Sequence, residues 1–414
     1  MFKHISDVER LVNDSDDERL SMTRHTTSVV SSLSTSVAGK SVGPALLMGN
    51  LCACASGLVV FAEPTRLCWF HVDAKRGTAR AKCAQKIAGV MEIQSVQLEG
   101  VDCVVTATTS GCSVWSAASD RPLCTVAMDE LEGGAPDGST FARGITSLLV
   151  SGATLLCVGT SRGTIAVLRA EGSVSARRSS LALSVLRRLL PGDSSGGERD
   201  VTTCLASTAD FLVHANENGT VRTMRSAELG VRDCDREEGR AGEASVVLFR
   251  GVGAPCNALR CFGERRCAAG FSCGKLRVFD VRTSALLSET AAHGRSISAI
   301  AVLWDRVEGT AAYIATAGHD SALRLWSATT GASAAESTGT TTRASGSAKE
   351  GGDAPPLALC ASALAPNSLL TGVQFYAAAS GARARDGGAL PNILTVSYDR
   401  HEIQSWALEA RGGK

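Results

Sequence analysis

The stretches AHGRSISAI, residues 292–300, and ATAGHDSALRLW, residues 315–326, decide how this chain reads. The second is an apolar run and a turn of small and polar residues. Apolar residues then fall at every other position, Leu323 and Leu325, and it closes on the bulky Trp326. A period of two sets one face of an extended strand against a neighbour. The module recurs as ACASGLVVF (53–61), TATTSGCSVW (106–115), VGTSRGTIAVL (158–168), HANENGTVRTM (214–224), AGFSCGKLRVF (269–279) and VSYDRHEIQSW (396–406). Its closing positions, Phe61, Trp115, Leu168, Met224, Phe279, Trp326 and Trp406, lie 47 to 56 residues apart until a last gap of 80.

Further strand-like runs precede six of the modules: Ile93–Leu98, Ile145–Val150, Val201–Leu205, Asn257–Phe262, Ile297–Leu303 and Leu370–Tyr376. Outer strands are expected at Leu67–Val72, Leu123–Met128 and Ala285–Thr290. Four short antiparallel strands repeated seven times describe an all-β fold, a single seven-bladed β-propeller of the WD40 type. The spacing exceeds the about 40–45 residues of a bare repeat and leaves room for longer loops. In the sixth unit His293, Thr316, Asp320 and Trp326 fall where WD40 repeats place a buried hydrogen-bond network. There an imidazole bridges a turn carboxylate and a hydroxyl, and the indole N–H is a further donor. The same polar set has the composition of a hydrolase triad, but inside a repeat the structural reading prevails. Other units keep only pieces, such as Asn218 and Asp399.

The last module leaves no outer strand to complete its blade. TTSVVSSLSTSV, Thr26–Val37, is rich in β-branched residues and is expected to supply that strand and close the ring, which removes exposed sheet edges. The reading therefore assigns 1–24 to a flexible or short-helical leader with an acidic NDSDDE run, and 25–410 to the propeller. Two flexible insertions are expected, at 175–200 and 328–356, with a smaller one at Ser380–Pro391; the second is Ala, Ser, Thr and Gly with little to bury. In the first, Leu183, Leu186 and Leu190 fit either one face of a short docking helix or an outer strand with its linker. Ser179 and Ser180 follow Arg177 and Arg178 in the pattern of a basophilic-kinase phosphosite.

Four stretches resemble the WD repeat-containing protein 54 family: FARGITSLLVSGATLLCVGTSRGTIAVL (141–168), GAPCNALRCFGERRCAAGFSCGKLRVF (253–279), residues 292–327, and LTGVQFY (370–376) with LTVSYDRHEIQSW (394–406). The likeness covers most of the chain from about residue 140. It implies a non-enzymatic propeller with scaffold-like behaviour and supplies no catalytic residues. This chain departs from the family in its longer inserts and longer N-terminus.

Bulk chemistry points the same way. Of 414 residues 44% are hydrophobic, enough for one large core. The 42 Lys and Arg balance 41 Asp and Glu, so no basic excess suggests a nucleic-acid or anionic-membrane surface. The acid-studded start does not resemble a signal peptide, and no apolar run reaches membrane-spanning length. A soluble, cytoplasmic protein is expected. The fifteen cysteines include Cys52, Cys54, Cys103, Cys157, Cys204 and Cys267 within apolar runs, where they act as small hydrophobes. No CxxC, His-x3-His or HExxH spacing marks a metal site. Gly39-Lys40-Ser41 lacks the earlier glycine of a phosphate loop, position 34 being Ser34. No nucleophile elbow, kinase motif or dinucleotide fingerprint is expected.

The function expected is binding of partner proteins or peptides, with no catalytic, metal or cofactor residues and the partners' identity open. A subunit of a larger flagellar, trafficking or ubiquitin-ligase assembly is the second reading, and an enzyme with a site in the propeller channel the third. In WD40 proteins, positions near the turn Asp and the first strand of a blade tend to lie on the narrower face. That rule picks out Arg162, Glu217, Ser272, Arg295, His319 and Tyr398 as contact candidates.

Overall fold

The computed structural model describes residues 20–27, 48–63, 65–73, 78–172, 180–190, 201–229, 245–251, 253–304, 311–329, 357–376, 391–398 and 400–410. They form seven four-stranded antiparallel sheets, the blades of a propeller. Blade 1 holds β2 (Leu51–Ala53), β3 (Leu58–Glu63), β4 (Arg66–Asp73) and β5 (Thr78–Lys86); blade 2 holds β6 (Val90–Leu98), β7 (Val101–Thr108), β8 (Gly111–Ser116) and β9 (Cys124–Ala127). Blade 3 is β10 (Ala142–Val150), β11 (Ala153–Thr160), β12 (Ile165–Glu171) and β13 (Ala182–Leu189). Blade 4 is β14 (Thr202–Ser207), β15 (Phe211–Asn216), β16 (Val221–Arg225) and β17 (Val246–Phe249). Blade 5 is β18 (Cys256–Phe262), β19 (Arg266–Phe271), β20 (Lys275–Asp280) and β21 (Ala285–Ala291). Blade 6 is β22 (Ile297–Trp304), β23 (Ala311–Gly318), β24 (Ala322–Thr329) and β25 (Ala358–Leu364). Blade 7 joins β26 (Leu370–Tyr376), β27 (Asn392–Ser397) and β28 (Arg400–Ala410) to β1 (Leu20–Thr27). One short helix, α1 (Met128–Glu132), links blades 2 and 3.

Each blade is packed between two others, so its second strand is buried on both faces. Cys103–Thr108 of β7, Leu155–Thr160 of β11 and Cys267–Phe271 of β19 are buried at every position. That is why these strands read as unbroken apolar runs, while the alternation shows best in the third strands. Outer strands such as β21 face solvent along most of their length.

The innermost strands carry a recurring device. In six blades the register slips near the start of the first strand: between Val90 and Glu92, Ala142 and Ile145, Thr202 and Cys204, Cys256 and Ala258, Ile297 and Ala299, and Leu370 and Gly372. Such β-bulges kink a strand and re-aim its groups. Here those groups reach the neighbouring blade. Gly49 N donates to Thr371 O at 3.1 Å and Ile93 N to Gly49 O at 3.4 Å. Gly144 N donates to Glu92 Oε2 at 2.8 Å, Thr146 Oγ1 meets Ser207 Oγ at 3.0 Å, and Cys204 Sγ donates to Cys256 O at 3.5 Å. Asn257 Nδ2 donates to Ser296 Oγ at 2.8 Å, and Ser298 Oγ donates to Leu370 O. Every one of the seven blade interfaces is crossed.

The structure moves three boundaries of the sequence reading. The ring is closed by an N-terminal strand, but that strand is β1, Leu20–Thr27, paired antiparallel with β28 from Leu20↔Ala410 to Thr27↔Ile403. It takes in the end of the segment read as a leader, and only Thr26 and Thr27 of the stretch expected to pair; positions 28–37 lie outside the described residues. The 53–61 module spans the first and second strands of blade 1, not the second and third. Phe61 pairs with Leu51, and Trp69 on β4 holds the position of the other closing residues. The cause is the three-residue β2, whose Ser56-Gly57 turn imitates the later hairpin. Leu67–Val72 accordingly lies in the third strand, the outer one being β5. Finally, Ala182–Leu189 forms the outer strand β13, the strand reading of that stretch and not the helical one, so it belongs to blade 3 where a flexible insertion was expected. Residues 330–356 and 377–390, which hold nearly all of the other two expected insertions, lie outside the described residues.

Candidate functional site

The turn joining second to third strand and the connection leading into the next blade share one end of the ring. They are tied by one repeated backbone bond. The N–H of the residue after the second strand donates to the connection: Thr109 to Gly89, Ser161 to Phe141, Glu217 to Val201, Ser272 to Pro255, His319 to Ser296 and Tyr398 to Leu369, at 2.8–3.1 Å. Glu217, Ser272, His319 and Tyr398 thus hold equivalent places. Arg162 is one residue along the same turn of blade 3, and Arg295 is in the connection into blade 6. The structure brings all six candidates to one face, from blade 3 round to blade 7.

Their surroundings differ. Arg162 Nη2 lies 3.1 Å from Asp137 Oδ2. Hydrogen bonds from Ser139 and Thr140, helped by Arg162, pull the Asp137 carboxyl down to about 2. Glu217 and Arg295 are exposed; Ser272 and Tyr398 are half-buried. His319 is half-buried and its Nε2 has no hydrogen-bond partner. Burial, and then the Arg295 charge, lower its pKa despite Asp320 nearby.

Beneath this face blade 6 carries the network. His293 Nδ1 is 2.8 Å from Asp320 Oδ1, and His293 Nε2 is 2.8 Å from Thr316 Oγ1. Trp326 Nε1 donates to Thr316 Oγ1 at 3.0 Å, and Gly294 N and Arg324 Nη1 donate to Asp320 Oδ2 at 3.1 and 2.9 Å. Burial pushes the Asp320 pKa up, but His293 and Arg324 outweigh it and hold the carboxyl far below its usual range. An ionised Asp320 only accepts, so Nδ1 carries the proton and Nε2 accepts from Thr316, which in turn accepts from Trp326. Arg324 Nη1 also comes within 2.9 Å of Nδ1. Both are donors in this tautomer, so that approach follows from their shared carboxylate. Burial keeps His293 neutral by lowering its pKa.

This arrangement cannot act as a hydrolase triad. Thr316 is wholly buried and its oxygen is occupied by the indole, so no substrate carbonyl reaches it. The Gly-x-Ser-x-Gly spelling of a nucleophile elbow does occur twice, at 159–163 and 270–274, which the sequence reading passed over. Both copies form hairpin turns followed by a strand, β12 and β20, where an elbow needs a helix.

The space left by Gly318 was also missed. A Cβ there would lie 2.3 Å from His293 Nδ1 and 2.8 Å from Asp320 Oδ1. At the equivalent end of the second strand, blades 2, 3 and 4 carry Thr108, Thr160 and Asn216, each paired with the first residue of its inner strand as Gly318 is with Ile297. Those side chains pin their own turns: Thr108 Oγ1 to Ser110 N, Thr160 Oγ1 to Thr164 N, and Asn216 Oδ1 to Thr220 N. In these four blades the turn is braced either by its own strand end or by a histidine from the preceding connection, and the second needs glycine.

Elsewhere only the indole half persists: Trp115 Nε1 to Thr106 Oγ1 at 3.1 Å, and Trp406 Nε1 to Thr395 Oγ1 at 2.8 Å. Asp399 lies outside the described residues. In blade 4 the threonine position holds His214, opposite Arg222. It is buried with neither ring nitrogen hydrogen-bonded, and burial, with Arg222 adding, pushes its pKa down to about 3.

In the channel, Glu92, Arg143 and Arg260 converge around a cavity of about 20 Å³. Burial raises the Glu92 pKa against the pull of Arg260, Arg143 and the backbone N–H groups of Gly144 and Ile145. That is room for about one water. Among the described residues no three His, Cys, Asp or Glu could hold a metal, and no helix is long and apolar enough to cross a membrane. Burial also raises the thiols, Cys54, Cys112 and Cys157 to about 12, which makes them poor nucleophiles. Ser180 is exposed just ahead of β13, and Ser179 lies outside the described residues.

The fold is a seven-bladed β-propeller, with a His–Thr–Asp–Trp hydrogen-bond network in blade 6. No family model matches the chain, and no curated protein does. Solved structures do. A crystal structure of BBS1N in complex with ARL6DN is 11% identical, with a TM-score of 0.56 over 90% of this chain and 96% of that one. A chain of the mitotic checkpoint complex is 12% identical, with a TM-score of 0.57 over 95% and 94%. The U3-55K structure is 14% identical, with a TM-score of 0.54 over 88% and 97%. At such identities the likeness is one of fold.

Proposed function

We propose that this protein is a non-enzymatic interaction scaffold that binds partner proteins or peptides through the face carrying Arg162, Glu217, Ser272, Arg295, His319 and Tyr398. The observation that carries this reading is the repeated backbone bond under those turns. It holds six side chains of five chemical types on a frame braced at every blade interface, which lowers the ordering cost of recognition.

The neighbours support protein partners by analogy, two of them coming from multi-protein complexes. The resemblance to the WD repeat-containing protein 54 family favours the same scaffold-like role in the cytoplasm. A structural subunit of a larger assembly would use the same face more permanently, and co-sedimentation at high mass in gentle extracts distinguishes it. The test is proximity labelling in native cells with the intact chain and with the six candidates changed to alanine together. Loss of most specifically labelled proteins is the expected result. Undiminished labelling by a folded variant sinks the assignment of this face.

A further inference from the structure

At the other end of the ring, where first strands turn into second strands, blades 3 to 6 enclose an open groove of about 950 Å³. Its apolar part joins Leu149, 65% exposed, to Trp304, whose ring packs against Phe262 with centroids 6.1 Å apart. An aliphatic side chain that exposed at a groove wall is an open contact surface. Beside it stand three arginines from the hairpin and turn of blade 5: Arg265, Arg266 and Arg282.

The charge of Arg265 and Arg282 is only partly balanced. Arg265 Nε spends one bond on Asp280 Oδ2 at 3.2 Å yet keeps half its side chain in solvent, while Asp280 is buried. Asp280 Oδ1 is already taken by the backbone N–H groups of Arg282 and Thr283, which leaves the exposed Arg282 guanidinium to solvent on that side. Burial, and then the neighbouring Arg265 charge, lower the pKa of Arg266 against the pull of Asp280. Glu264 is the remaining carboxylate on the rim. Guanidinium groups match carboxylates in two-pronged geometry, and a groove of one sign concentrates ligands of the other.

We propose that this groove receives an extended acidic segment of a partner protein. Its carboxylates lie on Arg265, Arg266 and Arg282, and one aliphatic or aromatic side chain rests on Leu149 and Trp304. Nucleic acid fits less well, because its repeating phosphates call for a continuous basic stripe and this chain is charge-balanced with acids on the rim itself. The inference extends the scaffold reading to a second face. It stands apart from the first, because none of the six turn residues lines the groove.

The test is fluorescence polarisation with the full chain and a short fluorescein-labelled polyglutamate peptide carrying a central leucine. Binding is expected to weaken as salt rises, and to fall by about tenfold or more in the Arg265→Glu/Arg282→Glu variant. Arg265 is paired with the buried Asp280, so if the double variant melts early the Arg282→Glu single variant, which keeps that pair, carries the same test with a smaller loss of binding. Trp304→Ala is expected to weaken binding several-fold. Should that variant melt early, Leu149→Ser probes the same contact from an exposed position. Arg121→Ala, at an exposed position of blade 2 that does not line the groove, leaves the affinity unchanged. The proposal is overturned if the glutamate peptide does not bind. It is equally overturned if a glutamine version binds as well, if the charge-reversed variant binds normally, or if a single-stranded oligonucleotide binds more tightly than the peptide.

Discussion

Lowering the pH should cost this propeller stability through His214, by an amount set almost wholly by the unfolded chain. The folded imidazole is buried, unpartnered and pushed down to about 3, while the unfolded one titrates near 6.5. A pKa lower in the folded state means stability that is complete above about pH 6.5. It drains away as pH falls toward 3, because only the unfolded chain takes up the proton. The slope is about 1.4 kcal/mol per pH unit. Between pH 8 and pH 5 the loss comes to about 2 kcal/mol, and this holds wherever the folded pKa lies, provided it is well below 5. His214 is 3% exposed, so solvent screening takes little from the figure. His214→Leu keeps the bulk and removes the titration. Urea unfolding of both proteins, followed by tryptophan fluorescence at several pH values, isolates the term, since His293 and Glu92 contribute to both curves. The parent should lose about 2 kcal/mol more than the variant by pH 5. Parallel curves would refute the reasoning and mean that His214 finds a proton acceptor in the fold.

Gly318→Ala should cost about 1–3 kcal/mol by thermal melt, because the new methyl invades the space of the His293 ring. With His293→Ala in the same chain the two costs should fall short of additive; strict additivity would show that they do not share that space. Trp406→Phe should cost about 1–2 kcal/mol by leaving the buried Thr395 hydroxyl short of a donor, and a neutral result would discount the bond. Removal of residues through Thr27 strips β1 from β28, and should lower the melting temperature and promote self-association, seen as a rise in light scattering. A truncated chain that stays monomeric and melts normally would show that β1 adds nothing to closure.

How much of this was legible in the sequence follows from packing. Inner strands stood out because they are apolar and bounded by turns, and third strands because they alternate and end on a bulky residue such as Trp115 or Trp326. Blade 1 misled because β2 is so short that its turn imitated the next hairpin. The closing strand was misplaced toward Thr26–Val37 because β-branched content signals propensity, whereas pairing depends on the partner strand, and the alternation of LSMTRHTT stops after Leu20–Thr23. His293, Thr316, Asp320 and Trp326 were visible from their spacing. The condition that lets them meet, a residue without a side chain at Gly318, lay in contacts between a strand end and the previous connection. The inter-blade bonds were hidden for the same reason: Ser298, Asn257 and Glu92 look like ordinary polar residues until the bulges aim them sideways. The groove of blades 3 to 6 gathers four hairpin ends far apart in the chain, which no local pattern announces.

The pairing of Leu20 with Ala410 also dictates an order of events. On the ribosome the six blades built from consecutive strands can form as their residues emerge, but the seventh must wait for β28, made last. Until then β1 has no partner, and the unfinished ring exposes the flank of blade 1 that will meet blade 7. Contacts of such long sequence separation are slow to form, so the newly made protein passes through an interval in which its edge is open to other chains.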